Sequence, residues 1–216
     1  MTEPVRFGLN VDPNTGGLAI AERITAIADA AGLEYVGIQD HPYNAGFVDT
    51  LTMITWLAGQ TSNVHFFPNV ANLPLRPPAL LAKQAATIDV LSGGRFELGL
   101  GAGAAAEPDG WSVSAPYVPP ARLPELNEII TGAALKAGRD PGAITRLYNV
   151  MGLITNDDRD PFHGPVGRWV DTLTTLHAES QMNAFVFWPS GDRERQSRVF
   201  AEQVVPAVRS AVGASA

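Results

Sequence analysis

The chain has 216 residues, a formal net charge of −7 and no cysteine. The absence of thiols excludes disulfides, iron–sulfur clusters, thiolate zinc sites and cysteine nucleophiles. The acidic balance argues against nucleic acid as a partner, because like charges repel. No apolar run approaches the ~18 residues of a membrane span, and the N-terminus carries no signal-peptide pattern. We therefore expect a cytoplasmic protein with no membrane partner, and the length fits a single domain over residues 1–216.

Short apolar segments alternate with helical patterns along the chain. Strands are predicted at Val5–Asn10, Glu34–Gln39, Val64–Val70, Phe96–Leu100, Gly110–Ser114, Ile144–Thr155 and Ala184–Trp188. Helices are predicted at Ile20–Ala31, Val48–Gly59, Pro77–Leu91, Arg122–Ala137, Pro165–Ala178 and Gln196–Val212. Strands that are followed by helices are typical of a parallel sheet covered by helices. Seven such strands fit a closed barrel or a doubly wound sheet, although a (β/α) barrel normally has eight strands and ~250 residues.

The most informative stretch of the sequence is the strand–helix–strand unit from Asn63 to Gly103. The unit begins with the third strand of the chain, which ends on Val70, Ala71 and Asn72. It closes with the fourth strand, which runs into Gly101-Ala102-Gly103, a bare turn with almost no side chains. Asn72 is either a ligand contact or a polar cap on the following turn. The bare turn provides either room for a flat ring or close packing of two backbones at a barrel rim.

Further polar and aromatic side chains fall near strand ends. His41 follows Asp40 after the second strand, where a neutral imidazole can exchange a proton near neutral pH; the alternative is a rim histidine that only caps a loop. Asn10, Met151 and Trp188 are candidates to line a pocket at the same face, although tryptophan is more often part of a core. The remaining histidines show no metal-ligand spacing, and no metal site is predicted: His65, His163 and His177.

Several of these segments together resemble one protein family. The run NLPLRPPALLAKQAATIDVLSGGRFELGLGAG (72–103), the Asp40-His41 pair, the DGW of residues 109–111 and the AGRDP of residues 137–141 are similar to the bacterial luciferase-like monooxygenases and F420-dependent oxidoreductases. The C-terminal segment from Ala184 to Arg209 fits the same family, so the resemblance covers nearly the whole chain in family order. It implies a (β/α) TIM-like barrel that binds FMN or the deazaflavin coenzyme F420 at the C-terminal ends of its strands.

The resemblance also implies roles for the candidate residues. Asp40 and His41 would serve the active site, with His41 handling a proton. In deazaflavin-binding members the segment at Val70 often forms a bulge with a non-proline cis peptide behind the cofactor ring; an ordinary strand-to-helix turn is the alternative here. The residues assigned to cofactor binding are Asn10, Val70, Ala71, Asn72, Gly101, Ala102, Gly103, Met151 and Trp188.

The chain departs from the family pattern between Gly103 and Trp111. Usual members have an insertion, the fifth strand and a glycine-rich turn there, whereas only Ala104 to Pro108 separates the two motifs here. Ala104 also stands where related dehydrogenases have a glutamate. We therefore expect a barrel reduced to seven strands by the loss of the fifth strand and the insertion region.

Two functions follow from this reduced barrel. One is a flavin- or F420-dependent oxidoreductase or monooxygenase acting on a small organic substrate, and the other is a non-catalytic flavin- or ligand-binding protein derived from the family. Unpaired strand edges and the resemblance both favour a homodimer.

Overall fold

A computed structural model describes residues 4–101 and 110–214 of the chain. The strands are β1 (Arg6–Val11), β2 (Tyr35–Ile38), β3 (His65–Pro68), β4 (Ala71–Asn72), β5 (Leu100–Gly101), β6 (Gly110–Ser114), β7 (Thr145–Ile154), β8 (His163–Gly164) and β9 (Ala184–Pro189). The helices are α1 (Leu18–Ala30), α2 (Thr50–Ala58), α3 (Pro78–Ser92), α4 (Leu123–Lys136), α5 (Val166–Ser180), α6 (Arg193–Val199) and α7 (Val205–Ala214). A π-helical stretch, Phe200–Val204, joins α6 to α7.

The strands form a curled parallel sheet in the order β3-β2-β1-β9-β7-β6, with β8 paired to β7. Strands β4 and β5 pair in a separate two-stranded sheet. A parallel bridge between Phe66 and Phe96 places the chain before β5 alongside β3. Within residues 4–101 and 110–214, no ladder joins β6 to β5. The predicted α/β fold, a reduced (β/α) barrel, is confirmed.

Most predicted elements agree with the observed ones to within about two residues, which is the usual uncertainty of element ends. The predicted strand Phe96–Leu100 is an exception, because only Phe96 and the short β5 pair with neighbours. The predicted third strand divides into β3 and β4 at a cis peptide between Asn69 and Val70. The last helical region begins at Arg193 rather than Gln196, because the Asp192 carboxylate accepts a hydrogen bond from the backbone N–H of Arg195 and caps it there.

Alternate residues of each strand point to opposite faces of the sheet, and both faces are packed. The convex face packs against the helices through a large buried cluster that includes Phe7, Val36, Tyr148 and Phe187. The concave face carries a smaller cluster of its own, formed by Tyr35, Phe67, Leu147, Ala184 and Val186, with Trp188 packed against it. A separate inner cluster is the expected result of a sheet that curls towards a barrel.

Candidate functional site

A cavity of about 580 Å³ opens where the sheet's strands end at their C-terminal side. Its lining comes from the ends of β1, β2, β7 and β9 and from the start of α6: Asn10, Asp12, Gln39, Met151, Trp188, Pro189, Ser190, Gly191 and Arg193. This is the face at which parallel α/β proteins bind ligands, and the volume is that of a small-molecule site. Three predicted site residues, Asn10, Met151 and Trp188, are thereby brought together.

Asn10 is the buried polar residue at the centre of this lining. It is only 4% exposed, and among the described residues its side-chain oxygen has no hydrogen-bond partner. Burying an amide oxygen without a partner costs about 1–3 kcal/mol. The oxygen itself is covered by protein atoms, so a ligand N–H or O–H group would reach it only after a small rotation of the Asn10 side chain.

A charged pair forms one side of the cavity and joins two of its loops. The Asp12 carboxylate contacts the Arg193 guanidinium and accepts a hydrogen bond of 2.7 Å from the Gln39 side-chain amide. Arg193 and Gln39 were absent from the predicted site. Gln39 has a signal in the sequence, since it continues the inward alternation of Tyr35 and Gly37 along β2, whereas Arg193 reaches the cavity only through the turn between β9 and α6.

A hydrogen-bonded network on the concave face forms the floor beneath the cavity. The Asn149 side-chain oxygen accepts hydrogen bonds from the Asn69 amide at 2.7 Å and from the Trp188 indole N–H at 2.9 Å. The Asn149 amide donates to the Ser112 hydroxyl at 3.1 Å. A side chain at residue 37 would crowd this arrangement, because a Cβ there would lie 3.1 Å from the Asn69 amide nitrogen and would displace it by a few tenths of an ångström. The network, which we call the polar floor, fixes the orientation of the Trp188 ring.

Asp40 lies outside the cavity lining and is fully engaged by protein groups. Its carboxylate accepts two hydrogen bonds from Arg76, at 2.6 and 2.7 Å, and one from the backbone N–H of Asn72 at 2.9 Å. Burial alone would raise the pKa of Asp40, but these hydrogen bonds outweigh it and hold the pKa below its usual range. The Asp40 hydrogen bonds in turn raise the pKa of Arg76. Such a carboxylate is suited to holding the segment around Asn72 in place rather than to transferring protons.

His41 stands at the rim rather than in the cavity lining. Its Nδ1 atom lies 2.7 Å from the Tyr43 hydroxyl, and its ring packs near the rings of Tyr43 and Phe47. The loop that carries it is tied to the loop after β1 by hydrogen bonds from Thr15 N–H to the Gly46 carbonyl and from Val48 N–H to the Pro13 carbonyl. His41 is thus held in place, with part of its surface open to solvent.

The other predicted cofactor residues form a second group beside the polar floor. In this group Ala71 pairs with Leu100, and Asn72 pairs with Gly101. The cis peptide between Asn69 and Val70 leads into it, and the Asn69 side chain connects it to the floor. Ala102 and Gly103 lie outside the described residues.

Close packing explains the glycines of this second group. A Cβ on Gly101 would lie 2.4 Å from the Val70 side chain, and one on Gly99 would lie 2.3 Å from the Pro68 carbonyl oxygen. The two chain segments therefore touch where a side chain would stand. Between the two readings of the bare turn, the described part favours close backbone packing at Gly101.

No group of three or more histidine, aspartate or glutamate side chains within the described residues is arranged to hold a metal ion. No helix in that part of the chain is long and apolar enough to cross a membrane.

Comparison with known proteins supports one family. Residues 5–140 match the family model described as luciferase-like monooxygenase. The 5,10-methylenetetrahydromethanopterin reductase of Methanopyrus kandleri is 32% identical over 124 residues, which are 57% of this chain and 34% of that protein. The chain thus matches about a third of the length of such curated relatives.

Solved structures agree on the fold. The F420-dependent tetrahydromethanopterin reductase from Methanopyrus kandleri superposes with a TM-score of 0.74 at 14% identity, covering 94% of this chain and 99% of that one. The oxygenating component of 3,6-diketocamphane monooxygenase from Pseudomonas putida, in complex with FMN, gives a TM-score of 0.72 at 13% identity, covering 94% and 98%.

Proposed function

Since the chain belongs to the luciferase-like monooxygenase family, we propose that it is a flavin- or F420-dependent oxidoreductase acting on a small organic substrate. The observation that carries this proposal is the cavity at the C-terminal ends of β1, β2, β7 and β9, with the buried polar side chain of Asn10 in its lining. A solved relative named for F420 and another in complex with FMN support either cofactor.

The residues present fit a flat, polar ring system. The pyrimidine end of both flavin and deazaflavin carries an N–H, and the Asn10 oxygen is a buried acceptor that lacks one. Trp188 and Met151 supply apolar surface in the same cavity. Asn10, Met151 and Trp188 would hold the ring, and the segments at Val70–Asn72 and Gly101 would form its further surroundings. When bound, either cofactor supplies the hydride chemistry, and the protein supplies binding and orientation.

We assign the two predicted catalytic residues different roles. His41 would hold or move a proton at the rim, since its imidazole is partly exposed and makes a hydrogen bond only through Nδ1 among the described residues. Asp40 would act indirectly, through its hydrogen bonds to Arg76 and to the backbone of Asn72.

A non-catalytic ligand-binding protein is the second candidate. It is favoured by the fact that the arginines that could hold a cofactor phosphate are already paired with carboxylates. Arginine is the side chain that most often binds a phosphate, yet Arg76 is paired with Asp40 and Asp49, and Arg168 with Asp158. Arg193, beside the cavity, is already in contact with Asp12. An incomplete phosphate site would lower the affinity for the cofactor. The cavity would then bind a ligand without catalysing a reaction.

Titration separates these functions. The protein is titrated with FMN and with F420 separately, following ligand fluorescence and heat of binding. We expect one of the two to bind and Asn10→Leu to weaken it about 5- to 150-fold, the range that follows from losing one buried hydrogen bond with its partner left unpaired. Asn63→Leu, at an exposed position before β3, is the matched control and should bind normally.

The outcomes are distinct. Absence of binding of both cofactors would overturn the proposal. Binding of a reduced cofactor whose oxidation by dioxygen or by a panel of carbonyl compounds is no faster than without the protein would favour the non-catalytic candidate.

We also propose that the protein is a homodimer. Large apolar side chains lie exposed on α3 and near it in the sequence, namely Leu75, Leu80, Val90, Leu91 and Leu98, and a concentration of exposed apolar side chains is typical of an interaction site. Sedimentation equilibrium should give twice the mass of one chain. The double variant Leu80→Glu, Leu91→Glu should give the mass of a single chain.

A further inference from the structure

We propose that Tyr43 is a positioning residue that fixes the neutral imidazole of His41 in the form protonated at Nε2, so that the site offers an oxygen atom of the substrate a hydrogen-bond donor. The substrate class this favours is a compound with a carbonyl oxygen. The inference about the tautomer concerns the protein alone, while the inference about the substrate rests on the proposed oxidoreductase function.

First, the distance between the Tyr43 and His41 side chains indicates which of them donates the hydrogen bond. The Tyr43 oxygen and the His41 Nδ1 atom are 2.7 Å apart. That distance is the usual one when an O–H group donates, and it lies at the short limit when an N–H group donates. A phenol can donate, and one nitrogen of a neutral imidazole is an acceptor. We therefore infer that Tyr43 donates to Nδ1, which leaves the hydrogen of the neutral ring on Nε2.

The second step is that the rest of the loop maintains this geometry. The His41 ring lies 5.4 Å from the Tyr43 ring and 6.3 Å from the Phe47 ring, measured between centroids. Phe47 is itself held by an antiparallel bridge to Asn14 in the loop after β1. The backbone N–H of Asn44 donates to the His41 carbonyl at 2.8 Å. The backbone of this loop is thus held at Asn44 and Phe47. Tyr43 is 68% exposed, so its contact with His41 is the one that positions its hydroxyl.

The third step concerns the other ring nitrogen. Across the described residues, no hydrogen bond involves Nε2 of His41. The nearest carboxylate in sequence, Asp40, accepts from Arg76 and from the backbone of Asn72 instead of from His41. An Nε2–H group without a protein acceptor is free to donate to a ligand. A neutral imidazole that donates polarises a carbonyl oxygen, whereas the opposite tautomer would present a base.

The chain contains an internal reference for the opposite tautomer. Nδ1 of His177 lies 2.8 Å from the backbone carbonyl oxygen of Met182. A carbonyl can only accept, so His177 must carry its hydrogen on Nδ1 when neutral. The same spectrum should therefore show opposite patterns for His41 and His177, beside the signals of His65 and His163.

The test is nitrogen-15 NMR of the histidine side chains in the cofactor-free full-length protein, at a pH where the imidazoles are neutral. His41→Gln identifies the His41 signals. We expect the pattern of an Nε2–H ring for His41 and of an Nδ1–H ring for His177. Tyr43→Phe should shift the tautomer ratio of His41 about 2- to 12-fold towards Nδ1–H, the range given by the net free energy of one hydrogen bond, and leave His177 unchanged.

Tyr117→Phe is the matched control, because Tyr117 is 86% exposed and its hydroxyl contacts no histidine in the described structure. An Nδ1–H pattern for His41 in the unmodified protein, or a His41 spectrum that Tyr43→Phe leaves unchanged, would overturn the proposal. The spectra need no cofactor, so this failure is distinguishable from a failure to bind FMN or F420. For the substrate, Tyr43→Phe should lower kcat on a carbonyl compound with little change in cofactor affinity; equal losses in both would show that Tyr43 only shapes the rim.

Discussion

Replacing Asp40 with asparagine should destabilise the protein more than the same replacement of the neighbouring carboxylate, Asp49. The Asp40 side chain is 1% exposed and the Arg76 side chain 10%, and two hydrogen bonds of 2.6 and 2.7 Å join them. Removing one member of a buried ion pair costs about 3–5 kcal/mol, because the other charge is left without its partner. Arg76 keeps a second partner, Asp49, at 2.9 Å. We therefore expect the lower end, about 3 kcal/mol.

The measurement is urea unfolding followed by circular dichroism, together with the thermal midpoint. For a chain of this size, about 3 kcal/mol corresponds to roughly 6–12 °C in Tm. Asp49→Asn is the matched control. It touches the same arginine, but the Asp49 side chain is 42% exposed, and asparagine remains a good N-cap for α2. Its cost should be under about 1 kcal/mol, as for exposed ion pairs.

The pH dependence supplies an independent check of the same pair. The pKa of Asp40 is lower in the folded protein than its ordinary value. A carboxyl of this kind contributes stability above its unfolded pKa of about 3.9 and loses it as the pH falls through the folded pKa. The free-energy difference between the unmodified protein and Asp40→Asn should thus be constant near neutral pH and shrink below about pH 4. Equal urea midpoints for Asp40→Asn and Asp49→Asn would refute the reasoning.

Three further substitutions test other parts of the structure. Arg146 is 5% exposed and burial lowers its pKa; within the described residues, its guanidinium donates one hydrogen bond, to the Thr131 hydroxyl. Arg146→Met should leave Tm unchanged or raise it, since an uncompensated buried charge is removed. A fall of several degrees in Tm would contradict this. Gly99→Ala should cost about 1–3 kcal/mol in urea unfolding, because the added Cβ would lie 2.3 Å from the Pro68 carbonyl oxygen. Gly132→Ala, with no atom within 4 Å of the added Cβ and a place inside α4, should stabilise by about 0.5–1 kcal/mol, and the same sign for both glycines would show that packing is not the cause.

Local patterns in the sequence predicted the sheet well. Val5–Asn10 and Ala184–Trp188 are short, apolar and bounded by turn residues, and each became a buried parallel strand. The predicted strand at Phe96–Leu100 failed because pairing depends on the neighbouring chain: Gly99 closely approaches Pro68, and the ladder is interrupted there. The hydrophobic pattern of a sequence predicts which residues are buried, but it does not predict which backbone groups form hydrogen bonds with each other.

The candidate site was less predictable for the same reason. Asn10, Met151 and Trp188 could be found because parallel strands bring their C-terminal ends to one face. Asp40 was predicted as an active-site residue from the resemblance; its side chain is not part of the cavity lining and is hydrogen-bonded to Arg76, 36 residues later in the chain. Nothing in the local sequence of either residue indicates that contact.

The polar floor determines how deep a ligand can lie. The side chains of Asn69, Ser112 and Asn149 span the concave face just below the cavity, and the apolar cluster fills the space beneath them. A bound molecule must therefore lie across the mouth, with any long substituent directed sideways or outwards. Because Trp188 both lines the cavity and donates to Asn149, substitutions in the polar floor should alter ligand retention through the orientation of its ring.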